Sequence, residues 1–347
     1  MKVLIFRTGS IGDTSVALPA LRLLKTHYKN AFFYLLTNFP VTNTGKECPL
    51  AMVLDGAEIV HEYIEYPVNQ LNLDVLISLR RKIRAIRPDV LVYLMPERTT
   101  RQLIRDWLFF KLCGVGKIVG LKFSKNFQTR FYESKTEQWE HEAHRLGRLV
   151  DELGQIDFDD PASWCLSLSA QEKTEAHQAL SSINKKPFVA FSIGTKIDTK
   201  DWGEDRWMEL TQRLSDAKHE YGLVLIGSID EFDRCARVSQ HWRGPVLNLC
   251  GKLAPRVSAA VLGEARLLVS HDSGPMHLAA AVGTPVVAIF SAQNKPGEWY
   301  PRGAQHTVFY NKTECFGCRL DTCVAKGKMC IRGISVESVL KAVVDHL

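Results

Sequence analysis

LLVSHDSGPMHLAAAVGTPVVAIFSA, residues 267–292, is the stretch whose reading decides the fold. An apolar run (Leu267, Leu268, Val269) leads into a polar turn, a helix of small residues, and a second apolar run from Val286 to Phe290. Strand, turn, helix, strand is the unit that builds parallel sheets, because parallel neighbours need a crossover. The turn His271-Asp272-Ser273-Gly274-Pro275 sits where a buried strand hands over to a helix N-terminus. Ser273 or Asp272 can cap that helix, and Pro275 in the first turn removes an N–H that has no partner anyway. The free N–H groups and the positive end of the helix dipole then suit a phosphate. A plain capped crossover explains the pattern too, but His277, one turn on, adds polar density that favours a ligand site.

Around this unit lies a chain of 347 residues, more than one core usually organises, which predicts two domains. No apolar run reaches the roughly 18 residues of a membrane span. The initial VLIF is too short for a signal-peptide core, so a cytoplasmic location is expected. A net charge of +6 is mild. It fits acidic small ligands or an anionic membrane face better than a nucleic-acid groove, and no nucleic-acid partner is expected. Nine cysteines are an odd number, which argues against a secreted disulfide framework and for reduced thiols.

Residues 2–6 (KVLIF) read as a buried first strand, followed by Arg7-Thr8-Gly9-Ser10-Ile11-Gly12-Asp13 and a helix. Gly9 and Gly12 allow a tight strand-to-helix turn, with backbone close to a ligand. This is not the dinucleotide fingerprint, since the third glycine and its spacing are missing. Asp13 falls at the helix cap, and capping alone accounts for it as well as a chemical role does. Further strands are expected at 32–37, 59–62 and 90–94, with a basic helix over 71–86. Residues 98–113 (RTTRQLIRDWLFFKLC) form an amphipathic helix in which Ile104, Trp107, Leu108 and Leu112 interleave with Arg101, Arg105 and Lys111. Such a helix either faces the core with a basic outer side or lies on an anionic bilayer. Residues 122–132 (KFSKNFQTRFY) mix basic and aromatic side chains, as an anionic lipid or sugar contact does, or as a strand with a basic edge does.

After a helix over 141–154, residues 155–168 contain Pro161 and an acidic cluster and read as the linker. Asp157 and Asp159 form a D-x-D triplet there, read as solvated loop because no apolar strand follows it. The expected domains are thus 1–160 and 161–347. The second half repeats the first half's grammar: a helix over 169–183 and strands at 188–192, 223–226 and 246–249, then the opening unit. Two α/β halves with ligand loops at strand C-termini describe two Rossmann-like, doubly wound sheets facing a central cleft.

Three second-half loops converge by topology: 193–202 with Lys200, 227–231 with Glu231, and 271–277. A lysine with a helix N-terminus suits a diphosphate, and a glutamate one strand away suits ribose hydroxyls. No G-x-x-x-x-G-K-[ST] occurs, which disfavours phosphoryl transfer. Displacing a nucleotide diphosphate from a sugar needs a base for the attacking hydroxyl and a cationic cradle for the leaving group. Asp13 and Lys200 suit those two roles.

FRTGSIGDTSVALPALRLLK (6–25), GTKIDTKDWGEDRWMEL (194–210) and SHDSGPMHLAAAVGTPVVAIF (270–290) together resemble glycosyltransferase family 9, the heptosyltransferase-like enzymes of bacterial lipopolysaccharide assembly. The last, with the pattern D-[ST]-G-x-x-H-[LI]-A-A, is the most specific. The resemblance implies a GT-B fold, inversion at the anomeric carbon, no required metal or other cofactor, and an ADP-heptose donor. The acceptor it implies is a lipid-linked saccharide at the cytoplasmic face of the inner membrane, with peripheral contact to that anionic face. Carried over by position, Asp13 is the general base, in a loop with Gly9, Ser10 and Gly12 on the acceptor side. Thr195 and Lys200 contact the donor phosphates, Glu231 the ribose, and Asp272, Ser273, Gly274 and His277 the donor sugar and diphosphate. Ile197 stands where a polar residue is more usual, which leaves the donor's identity open but not its class.

Two rivals stay distinguishable. A nucleotide-sugar epimerase acts on the donor with no acceptor present, and a non-catalytic nucleotide-sugar-binding protein has no use for Asp13. In the C-terminal segment, Cys315-x2-Cys318-x4-Cys323-x6-Cys330 has the compactness of a structural zinc or iron–sulfur site, or of a loop of reduced thiols.

Overall fold

Short apolar runs with both faces covered are what a parallel sheet asks of its strands. β1 (Lys2–Phe6) meets that demand, with Val3, Leu4 and Ile5 fully buried. In the computed structural model, which describes residues 1–39, 49–67, 72–183, 186–324 and 326–347, the chain divides into two compact units. The first comprises Met1–Tyr132 and Glu140–Ser167, and the second Glu133–Trp139 and Leu168–Leu347.

The first unit joins β1 to β2 (Phe32–Thr37), β3 (Glu62–Glu65), β4 (Val90–Tyr93) and β5 (Lys117–Val119) in the order β3-β2-β1-β4-β5. All its pairings are parallel, and β1 pairs on both sides, with Val3 opposite Phe33 and Val90. β3 begins at Glu62, where the 59–62 reading expected a strand to end. Ile59 is fully buried but lies in the turn after the Ala51–Leu54 helix, so its apolar character marks core packing and not strand pairing. The Leu73–Ile86 helix falls within the span expected for it; residue 71 lies outside the described residues.

The Thr100–Leu112 helix turns its expected core face outward. Leu103, Asp106 and Phe110 are its buried stripe, while Ile104, Trp107, Leu108 and Leu112 are exposed. A helix this apolar carries two stripes at helical spacing, and the core accepts the one that Tyr93 can engage through its hydroxyl, 2.6 Å from Asp106 Oδ2. Residues 122–132 hold a short helix, Lys125–Gln128, where an edge strand was one reading. In the linker, Asp157 Oδ1 accepts from the N–H groups of Asp159 (2.9 Å) and Asp160 (3.2 Å), a local turn on an exposed loop.

A separate hairpin pairs β6 (Tyr132–Glu133) with β7 (Gln138–Trp139). The second unit's sheet takes β8 (Phe188–Ser192), β9 (Gly222–Leu225), β10 (Val246–Asn248), β11 (Leu267–His271), β12 (Val286–Phe290) and β13 (Thr307–Tyr310) in the order β10-β9-β8-β11-β12-β13. Its pairings are parallel as well. In both sheets the chain reverses direction of growth beside the first strand, at β1 and at β8. That reversal opens a ligand crevice at strand C-termini. Trp202 and Trp207 are the largest fully buried side chains of the second core. Among the described residues no helix is long and apolar enough to cross a membrane.

Candidate functional site

The C-terminal ends of β8, β9 and β11 carry the second unit's candidate residues. β11 ends in His271, which is fully buried. Its Nε2 accepts from the Trp202 backbone N–H (3.0 Å) and from Trp207 Nε1 (3.3 Å). Burial pushes its pKa down to about 4, against the pull of Asp201, so the ring is neutral at pH 7. His271 therefore fastens the 193–202 loop to β11, a structural duty inside the turn read for its polar density.

Asp272, next in the chain, faces Lys200: Nζ lies 2.6 Å from Oδ2, and both side chains are largely buried. Asn294 Nδ2 reaches the same oxygen at 3.3 Å. Ser273 occupies the N-cap position of the Gly274–Ala281 helix in extended conformation, yet its side chain makes no cap hydrogen bond. Its Oγ lies 3.2 Å from Ser270 Oγ instead. Serine at N-cap thus leaves the first-turn N–H groups to another acceptor. His277 is buried one turn on, its ring edge-on to Trp299 with centroids 6.4 Å apart.

Glu231 closes a capping box, its Oε2 accepting from the Ser228 N–H at 3.1 Å. The same carboxylate fills the space over two glycines. A Cβ on Gly194 would stand 1.8 Å from Glu231 Cδ, and one on Gly227 would stand 2.0 Å from Oε2. Burial raises its pKa above the ordinary glutamate value, against the hydrogen bonds from Ser228. Thr195 Oγ1 accepts from the Ile197 N–H at 3.3 Å and shapes the start of the loop.

Three supports of this site carry no sequence signal of their own. Arg234 holds Asp201 with two hydrogen bonds, of 3.0 and 2.8 Å, tying the 193–202 loop to the helix that follows Glu231. Leu320 O accepts from Thr199 Oγ1 (2.7 Å) and Gln293 Nε2 (2.9 Å), so the cysteine-rich segment braces the Asp198–Lys200 turn. Lys328 pairs with Asp198 to the same effect. Among the described residues these cysteines form no disulfide: Cys315 and Cys318 are exposed, and Cys323 and Cys330 half-buried. Among the described residues no group of three or more His, Cys, Asp or Glu side chains is placed to hold a metal ion.

In the first unit, Ser10 and Asp13 form a reciprocal capping box at the Ile11–Ser15 helix. Asp13 Oδ2 accepts from the Ser10 N–H and from Ser10 Oγ, each at 2.8 Å. Gly9, at φ +155°, lies under this carboxylate, since a Cβ there would come within 2.4 Å of Asp13 Cβ. Gly9 is also clasped by Asn38, whose Oδ1 accepts from the Gly9 N–H at 2.7 Å. Gly12 is buried in the first turn of the helix.

Beneath Asp13 lies Arg7, wholly buried at the end of β1. Its Nη2 donates to Asp13 O (2.7 Å) and stands 3.8 Å from Oδ1, and its Nη1 donates to Leu94 O (2.9 Å). Glu142, also wholly buried, stands 3.9 Å from Arg7 Nη1 and accepts from Arg145 and Arg130. Burial lifts the Glu142 pKa, but Arg145, Arg130 and Arg7 outweigh it and hold the carboxyl down at about 2. The capping reading of Asp13 is thus met, and a fixed cation backs the same carboxylate. Asp13, Gly9, Ser10 and Gly12 belong to the first unit, and Lys200, Thr195, Glu231, Asp272, Ser273, Gly274 and His277 to the second.

The family model described as glycosyltransferase family 9 (heptosyltransferase) matches residues 99–329, which takes in Thr195, Lys200, Glu231, Asp272, Ser273, Gly274 and His277. A lipooligosaccharide heptosyltransferase 2 of Campylobacter jejuni is 24% identical over 352 residues, covering 98% of this chain and 97% of the relative. Among solved structures, a family 9 glycosyltransferase of Veillonella parvula superimposes with a TM-score of 0.75 at 18% identity, over 99% of this chain and 96% of that one. The Escherichia coli ADP-heptose lipopolysaccharide heptosyltransferase II superimposes with a TM-score of 0.67 at 19% identity, over 100% and 98%. These likenesses give the two parallel sheets the architecture of the GT-B class.

Proposed function

Because the chain belongs to glycosyltransferase family 9 and is therefore a sugar transferase, we propose that it moves heptose from ADP-heptose onto a lipid-linked saccharide of lipopolysaccharide type. The observation that carries this reading is the convergence of Lys200 on Asp272 at 2.6 Å, beside a helix N-terminus that its own serine leaves uncapped. A diphosphate takes the place of the Asp272 carboxylate before Lys200 and accepts from the free N–H groups of the Gly274–Ala281 helix. Glu231 receives the ribose hydroxyls, Thr195 a phosphate oxygen, and Ser273 and His277 the donor sugar.

Asp13 is the general base. Its carboxylate takes the proton of the acceptor hydroxyl, whose oxygen attacks the anomeric carbon opposite the leaving ADP and inverts it. The negative charge that grows on the departing diphosphate is met by Lys200 and the helix N–H groups, so the chemistry draws on no cofactor. The likeness to a lipooligosaccharide heptosyltransferase and to an ADP-heptose lipopolysaccharide heptosyltransferase supports both donor and acceptor class. The reaction then belongs at the cytoplasmic face of the inner membrane, where the protein makes peripheral contact.

Two measurements test this. Melting temperature is measured against ADP, UDP and GDP, and ADP is expected to raise it most; a preference for UDP or GDP redirects the donor. Asp13→Ala is expected to lose transfer, by a factor of about a thousand or more, while its ADP-induced melting shift stays within error of wild type. Turnover near wild type removes Asp13 from the chemistry. Consumption of the sugar nucleotide with no acceptor present replaces the transferase reading with an epimerase.

A further inference from the structure

We propose that an exposed face built by two helices of the first unit docks the protein on an anionic lipid surface. This deepens the reading above and rests on it for the lipid-linked acceptor, but the surface itself stands on observations of its own. On the Thr100–Leu112 helix, Ile104, Leu108 and Leu112 recur at four-residue intervals and so form one outward stripe. They are 45%, 48% and 65% exposed, with Trp107 beside them at 38%. Four large apolar side chains in water on one helix are not explained by the fold, whose core is served by the opposite stripe.

The neighbouring Leu73–Ile86 helix continues the face. Its Leu73 and Ile77, 73% and 39% exposed, fall on the same side as Arg80, at helical spacing. Arg80 Nε donates to Leu112 O at 2.9 Å, so the two apolar stripes meet at that contact. Gln128 Oε1 accepts from the Arg98 N–H at 3.0 Å, which ties the Lys125–Gln128 helix to the start of the Thr100–Leu112 helix.

Charge selects the occupant. The two helices carry Arg80, Arg81, Lys82 and Arg84 on one and Arg101, Arg105 and Lys111 on the other. Their acids are Asp74, and Asp106, which is buried against Tyr93 and Arg105. Apolar side chains flanked by cations complement a bilayer whose headgroups are anionic, with the chains entering the acyl boundary and the guanidinium groups staying at the phosphates. A second copy of the chain would bring this basic face against its own like charges.

The test is flotation of the full chain with vesicles of phosphatidylethanolamine and phosphatidylglycerol, compared with phosphatidylcholine alone. Wild type is expected to float with the anionic vesicles and not with phosphatidylcholine, and to be released by salt. The double substitution Ile104→Glu and Leu108→Glu is expected to lower the bound fraction at least about tenfold, as is Leu73→Glu with Ile77→Glu on the other helix. All of these substitutions lie on exposed positions, and an unchanged melting temperature of the unliganded protein verifies the fold. Failure of wild type to float, or equal flotation of wild type and variants, overturns the proposal. So does a wild-type dimer that the variants split in sedimentation, which would make the face a self-contact. Flotation without any ADP shift in wild type leaves docking standing and rejects the donor reading; an ADP shift without flotation does the reverse.

Discussion

Asp13 and Lys200 illustrate what a single residue can show before its neighbours are known. Each lies in a stretch whose pattern is visible in the chain, and each turns out to be paired: Asp13 with the buried Arg7, Lys200 with Asp272. Arg7 and Glu142 are 135 positions apart, and nothing in local spacing announces that they meet beneath Asp13. For Lys200 the pairing has a direct consequence. On the proposed reading a phosphate competes with Asp272 for the ammonium, and the lysine then acts on ligands that carry charge. Lys200→Ala is expected to weaken ADP binding about tenfold or more by calorimetry, while adenosine binding changes by no more than about twofold. Equal losses for the two ligands would remove Lys200 from the phosphates.

Among elements, the turn after β9 shows how glycine can serve a neighbour instead of its own backbone. Gly194 and Gly227 belong to different loops, yet both give room to the Glu231 carboxylate. Because the clash at Gly194 is with the end of a flexible side chain, alanine there should push the carboxylate aside and not unfold the turn. Gly194→Ala is therefore expected to bind ADP as weakly as Glu231→Ala does, with a melting temperature within about 2 °C of wild type. Adding it to Glu231→Ala should cost almost nothing further, a double-mutant cycle that additive losses would refute. Strands of this kind were legible because they are apolar on both faces: β1, β8, β11 and β12 lie where their apolar runs lie. β5, with three residues, and β13, half-buried throughout, carry no such run and were not legible. The Thr100–Leu112 helix was legible as a helix, but its two apolar stripes left the choice of inner face to tertiary packing.

At the scale of the whole molecule, the two units hold different titrating groups, and acid should separate them. In the second unit His271 is buried neutral, its pKa moved from 6.5 to about 4 chiefly by burial. The unfolded chain takes up that proton below about 6.5 and the folded chain does so only near 4, so the contribution is whole above 6.5 and is lost as pH falls toward 4. In the first unit Glu142 is displaced from 4.5 to about 2, because its arginines outweigh the burial that opposes them. Its contribution is whole above 4.5 and is lost only as pH falls toward 2. Displacements in these directions are a sizeable part of a domain's marginal stability. The second unit should accordingly weaken first. Hydrogen exchange read by mass spectrometry is expected to show β8 and β11 losing protection between pH 6 and 4.5 (about the His271 window), while β1 and β4 keep theirs. Trp202 and Trp207, which donate to His271, should report the same step in fluorescence. His271→Gln, though less stable at neutral pH, should lose part of the slope in that window, the rest belonging to His306, which burial also holds below its ordinary value. Protection lost from both sheets together, or an undiminished slope in the glutamine variant, would show that the acid response belongs to other groups.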